Sequence, residues 1–191
     1  MKVEFSVKEQ FPYEKLEGKD VIGEISKVQK LMESTNLKWW FSAGTVLGII
    51  REERGYILHD KDIDLEVIEG EGVRESIIEL MKTNSYRPIR FMEVGGKNCQ
   101  LAFINDNNNI IIDYYLYTLK GEEYINYNDV GILTIPKEMI DNRDYNDKKG
   151  REFMMPQPSN EYLIHRYGDW ETPRNNKVSW IHDAGVAFKK W

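Results

Sequence analysis

Apolar residues recur along this chain in two rhythms, and the switches between them mark out its elements. Val3, Phe5 and Val7 alternate, which predicts a short N-terminal strand. From Asp20 to Asn36 the apolar positions are Val21, Ile22, Ile25, Val28, Leu31 and Met32. That is the stripe of an amphipathic helix, with Asp20 placed to cap it. Lys38 to Ser42 reads as a buried strand running into a Gly44-Thr45 turn, and Thr45 to Arg51 as a short helix packed by Val46, Leu47, Ile49 and Ile50. A polar loop from Glu52 to Leu58 leads to a strand from Asp62 to Ile68. After the Gly70-Glu71-Gly72 break, Val73, Ile77, Leu80 and Met81 mark a second long helix.

The second half alternates with period two. Ile89 to Val94 and Cys99 to Asn105 predict a hairpin around Gly95-Gly96-Lys97-Asn98, and Ile110 to Thr118 is the most strand-like run in the chain. Tyr124 to Ile135 predicts further short strands, Pro136 to Ile140 a short helix, and Asp141 to Gly150 a polar loop. Ser159 is placed to cap a last helix through Tyr167; residues 168–191 show no period. The fold class expected is α+β, a mixed sheet with helices packed mainly on one face. No repeat or linker divides the 191 residues, so one domain, 1–191, is expected.

Composition narrows the function classes. An apolar fraction of 41% and an aromatic fraction of 12% are those of a chain with a packed core. The formal charge of -6 argues against a nucleic-acid partner, which favours a basic face. A single cysteine, Cys99, excludes an internal disulfide and a cysteine-rich zinc site. No apolar run approaches the ~20 residues needed to span a bilayer. Met1 to Gln10 has no apolar signal-peptide core, so a cytoplasmic location is expected.

The candidate chemistry lies between Phe41 and Val67. Asp60, Asp62 and Asp64 alternate into the apolar positions Ile63, Leu65 and Val67, so on a strand their carboxylates share one face at roughly 6.5–7 Å spacing. Hard carboxylate oxygens suit Mg2+ or Mn2+, and such ions serve phosphoryl transfer. Asp113 is a natural third carboxylate, because an ionised Asp inside Ile110-Ile111-Ile112 is costly without a partner. The blander reading of these acids, a solvated strand face, does not account for the fourth among apolar neighbours. A calcium loop fits the spacing of Asp60, Asp62, Asp64 and Glu71, but Leu65 stands where that loop turns on glycine. Ser42, Gly44 and Thr45 form a small-residue turn at a helix start, suited to a phosphate, and Arg51 can fork onto one.

Three motifs in order then resemble the LicD family. Gly44 to Arg51 reads G-T-V-L-G-I-I-R, His59 to Asp64 reads H-D-K-D-I-D, and Glu161 to Pro173 reads E-Y-L-I-H-R-Y-G-D-W-E-T-P. Ile112-Asp113 is similar to the family's later aspartate strand. The chain departs from the family at Lys61, which replaces the central acid of an aspartate triplet, and at His59, which replaces a tryptophan. The resemblance implies a nucleotidyltransferase fold, with the C-terminal helix and tail, 156–191, completing the site. It implies Asp62, Asp64 and Asp113 as catalytic and metal-binding residues, and Ser42, Gly44, Thr45, Arg51, Tyr167 and Asp169 around the substrate phosphates. The activity implied is Mg2+-dependent transfer of a phospho-alcohol, such as phosphocholine, from a CDP-linked donor to a glycan or other hydroxyl. Two alternatives stand beside it: a nucleotidyltransferase that uses an NTP to modify a small molecule, and an inactive nucleotide- or partner-binding module.

Overall fold

In the computed structural model the described residues are 2–9, 13–147, 149–173 and 187–190. Period-two segments form a nine-stranded sheet. Its main path runs β1 (Val3–Lys8), β4 (Tyr86–Val94), β5 (Lys97–Asn105), β6 (Ile110–Lys120), β7 (Glu123–Tyr127), β8 (Gly131–Pro136) and β11 (Phe188–Lys190). A branch adds β3 (Asp62–Ile68) beside β6, and β2 (Trp39–Phe41) beside β3. Every pairing on this sheet is antiparallel except β3 with β6. The β4–β5 hairpin is tighter than the sequence predicts. It closes on Gly95 and Gly96 alone, both at positive φ, the backbone that a two-residue hairpin turn demands.

The period-3.6 segments become α1 (Val21–Glu33) and α3 (Val73–Thr83). Asp20 caps α1, its Oδ1 accepting the Gly23 N–H at 3.0 Å. Both helices bury their stripes, Val21, Ile25, Val28, Met32 and Val73, Ile77, Met81, in one core with Ile63, Leu65, Ile112 and Tyr114 of the central strands. The Tyr114 hydroxyl meets Met81 Sδ at 3.1 Å, which fixes α3 to this face of β6. The architecture is the expected α+β arrangement, with both long helices on the apolar face.

Because residues 63 and 65 face that core, Asp62, Asp64 and Glu66 take the opposite face. Two shorter helices frame that face: α2 (Ala43–Arg51), which follows β2, and α4 (Ser159–Tyr167), which packs on α2. Two details of the sequence reading are corrected here. Asn142–Asn146 is strand β9, paired with β10 (Glu152–Gln157) in a separate ribbon, where a polar loop was expected. Ser159 does not cap α4. The helix begins at Ser159 itself, whose hydroxyl donates to the Pro156 carbonyl at 2.9 Å, and Pro158 occupies the cap position. Among the described residues no helix is long and apolar enough to cross a membrane.

Candidate active site

The turn between β2 and α2 is built around Asp64. Ser42 is extended and its N–H donates to the Asp64 carbonyl at 3.1 Å. Ala43 then adopts φ 43°, a left-handed conformation that costs a non-glycine residue roughly 1–2 kcal/mol. Its N–H donates to the buried Tyr162 hydroxyl of α4 at 2.9 Å. The Gly44 N–H donates to Asp64 Oδ2 at 3.1 Å, and the Asp64 N–H donates to Thr45 Oγ1 at 2.8 Å. A carboxylate thus sits on the first turn of α2, where the helix dipole favours negative charge. The turn predicted to hold a phosphate holds an aspartate.

The parallel register sets Asp64 beside Asp113. Asp62 lies two residues up the same face of β3, and the loop before it adds Asp60, whose carboxyl is hydrogen-bonded to that of Asp62. Burial pushes all four carboxyls above their ordinary range. Asp62 rises to about 7 through burial and then the charge of Asp60. Asp113 also reaches about 7 through burial, with Arg90 pulling it back. Asp64, buried beside Asp62 and Asp60, goes well above the usual carboxylate value. Asp113 Oδ2 accepts from Arg90 Nη2 at 2.8 Å and from Gln100 Nε2 at 3.0 Å, while its buried Oδ1 has no partner.

A cavity of about 700 Å³ opens over this face. Of the predicted site residues, Gly44, Arg51, Asp62, Asp64, Asp113, Tyr167 and Asp169 line it. Ser42 and Thr45 do not: Ser42 is fully buried beside the Glu66 carboxyl, and the Thr45 hydroxyl is taken by the Asp64 N–H. Arg51 is tied down on the wall, its Nε on Glu52 Oε1 at 2.9 Å and its Nη1 on the Trp170 carbonyl at 3.1 Å. Trp40, a candidate stacking residue by sequence, is a core residue whose indole donates to Glu66 Oε2 at 2.6 Å. The sequence reading did not reach Tyr13, Arg90 and Gln100, which also line the cavity. Their only signal was cross-strand register, which one sequence does not display. His182 and residues 174–186 of the tail expected to complete the site lie outside the described residues.

A divalent cation was tested against these residues. The donor set fits it: four carboxylates crowd one wall, all raised by burial, with an unpartnered oxygen on Asp113. Among the described residues no three His, Cys, Asp or Glu side chains are grouped tightly enough to hold a metal ion as they stand. Binding would therefore draw Asp62 and Asp64 together and part the Asp60–Asp62 hydrogen bond.

No protein-family model matches the sequence, and comparison with curated proteins recovers no match. The LicD resemblance accordingly has no support beyond its motifs. Solved structures do match. A lincomycin-bound lincosamide antibiotic adenylyltransferase, LnuA, superposes with a TM-score of 0.53 at 14% identity, over 75% of this chain and 84% of that one. The aminoglycoside enzyme ANT(2")-Ia, in complex with adenylyl-2"-tobramycin, gives a TM-score of 0.44 at 14% identity, over 72% of this chain and 69% of that one. The first likeness establishes a nucleotidyltransferase-like fold.

Proposed function

We propose that this chain is a metal-dependent nucleotidyltransferase that moves a nucleoside monophosphate from an NTP to a hydroxyl on a small molecule. The observation that carries the reading is the row of acids at the β3–β6 register, Asp64 beside Asp113 with Asp62 and Asp60 adjoining, on the wall of the cavity. A bound Mg2+ would supply charge neutralisation for the triphosphate and the departing pyrophosphate, held by Asp62 and Asp64. The acceptor oxygen attacks the α-phosphorus; that P–O bond forms as the bond to the bridging oxygen of pyrophosphate breaks. The hydroxyl proton passes to Asp113 Oδ1, the carboxylate oxygen with no protein partner. Gly44 lets the turn approach the acids, and Tyr167 and Asp169 wall the opening.

The earlier expectation, phospho-alcohol transfer from a CDP-linked donor, uses the same acids and rests on the three sequence motifs alone. The two readings differ in leaving group. Pyrophosphate release is to be measured with each of the four NTPs, Mg2+, lincomycin and a panel of hydroxylated small molecules, alongside CMP release from CDP-choline and CDP-ribitol. The expected result is acceptor-dependent pyrophosphate release that falls at least about 10²-fold in Asp62→Asn and in Asp64→Asn, since such ions supply several kcal/mol. CMP release without pyrophosphate release would return the assignment to phospho-alcohol transfer. Equal turnover in wild type and Asp62→Asn would exclude both.

A further inference from the structure

Arg90, Ala102 and Asp113 stand opposite one another across β4, β5 and β6, and Asp64 follows on β3. Side chains directly opposite across a sheet share one face, so these four form a row. Arg90 and Asp113 are two strands apart, roughly 9–10 Å at the backbone. They meet at 2.8 Å because the residue between them has only a methyl group, leaving a lane for the guanidinium. Gln100 reaches the same oxygen, Oδ2, at 3.0 Å from one row further along β5, and Tyr13 holds the other end of Arg90, its hydroxyl 2.5 Å from Nη1.

An arginine that served only to neutralise a buried aspartate would fork onto both carboxylate oxygens, the stronger geometry. Here two donors from two strands converge on one oxygen and leave the other without a partner. We propose that Arg90 and Gln100 are positioning residues for the transfer: by holding Asp113 Oδ2, they present Oδ1 as the single oxygen that faces the attacking hydroxyl. The role rests on the nucleotidyl-transfer reading, but the clamp is a property of the free protein and is tested separately from it.

Crystals of the nucleotide-free full chain carrying Arg90→Met or Gln100→Leu give the structural arm. The Asp113 carboxylate is expected to turn from its wild-type torsion, most in Arg90→Met. An unmoved carboxylate in both variants overturns the proposal, whatever their activity. Pyrophosphate-release kinetics give the second arm. Arg90→Met is expected to lower kcat by about 10–10²-fold, the scale of a sub-ångström to 1 Å misplacement, with the KM for NTP held within about twofold. Arg90→Lys, which keeps one donor, is expected to recover part of that loss, and Gln100→Leu to show a smaller loss of the same kind. A wild-type kcat in Arg90→Met, or a raised KM at unchanged kcat, makes Arg90 at most a nucleotide-binding group and overturns the proposal. Should Arg90→Met not fold, Gln100→Leu serves both arms. Wild type as inert as Asp62→Asn would sink the nucleotidyl-transfer reading, while the carboxylate torsions still decide the clamp.

Discussion

A methyl group added at Gly44 would stand 2.4 Å from Oδ2 of Asp60 and 3.3 Å from Oδ2 of Asp64. Both obstacles are the ends of side chains, so the acids can move aside while the backbone stays. Gly44→Ala is therefore expected to fold, with the helix preference of alanine offsetting part of the crowding. It is also expected to lose at least about 10-fold in pyrophosphate release through displaced acids. Gly48 supplies the contrast, since its added methyl would meet the Tyr56 Cα at 2.7 Å and the Ile57 nitrogen at 3.0 Å, which are backbone. Gly48→Ala is expected to cost about 1–3 kcal/mol in urea denaturation, the usual penalty of overpacking. Full activity in Gly44→Ala would mean the acids do not need this close approach. At this scale Asp62, Asp64 and Asp113 were legible because charge at alternate positions in an apolar strand has few structural uses. Arg90 and Gln100 were not, because each is an ordinary polar residue until the β4–β5–β6 register sets it beside Asp113.

The joint between α2 and α4 depends on one hydroxyl. Tyr162 is buried, and its hydroxyl accepts the N–H of Ala43, the residue in the left-handed conformation that aims the first turn of α2 at Asp64. Tyr162→Phe keeps the ring and leaves that N–H without an acceptor. The expected cost is about 1–3 kcal/mol, seen as a lower denaturation midpoint at unchanged m. A midpoint equal to wild type would show that another group takes the Ala43 N–H. Elements with one buried face were the legible ones: α1, α3, β3 and β6 are each written in a stripe or an alternation of apolar residues. The β9–β10 ribbon was only half written. Asn142–Asn146 carries Tyr145 alone as a large apolar residue, so its strand character comes from pairing with Glu152–Gln157 and not from its own pattern. The start of α4 was misread for a related reason. A serine ahead of a helical run fits a cap, but its hydroxyl is spent on the Pro156 carbonyl.

For the molecule as a whole, the crowded acids set how stability depends on pH. In the unfolded chain an aspartate titrates near 3.8, whereas folded Asp62 and Asp113 do so at about 7 and Asp64 higher still. Between those values the folded state binds more protons than the unfolded one, so unfolding free energy falls as pH rises. The cluster's penalty is absent below about pH 4 and grows through the folded values near 7. Asp147, held below its ordinary value by hydrogen bonds from Arg151 and Lys149, has the opposite sign, but its window lies below 3.8 and does not overlap. EDTA-treated protein is accordingly expected to melt lower at about pH 8 than at about pH 5.5, by roughly 2–4 °C for each kcal/mol of charge repulsion. Asp62→Asn removes one of the crowded charges, so it is expected to raise the melting temperature at the higher pH and to narrow the gap. Millimolar Mg2+ is expected to do the same for the wild type at the higher pH and little at the lower, where protons already occupy the carboxyls. A melting temperature that holds or rises between the two pH values in EDTA, with Asp62→Asn no different, would mean that the acids are already compensated within the chain. The cluster would then have no need of a cation.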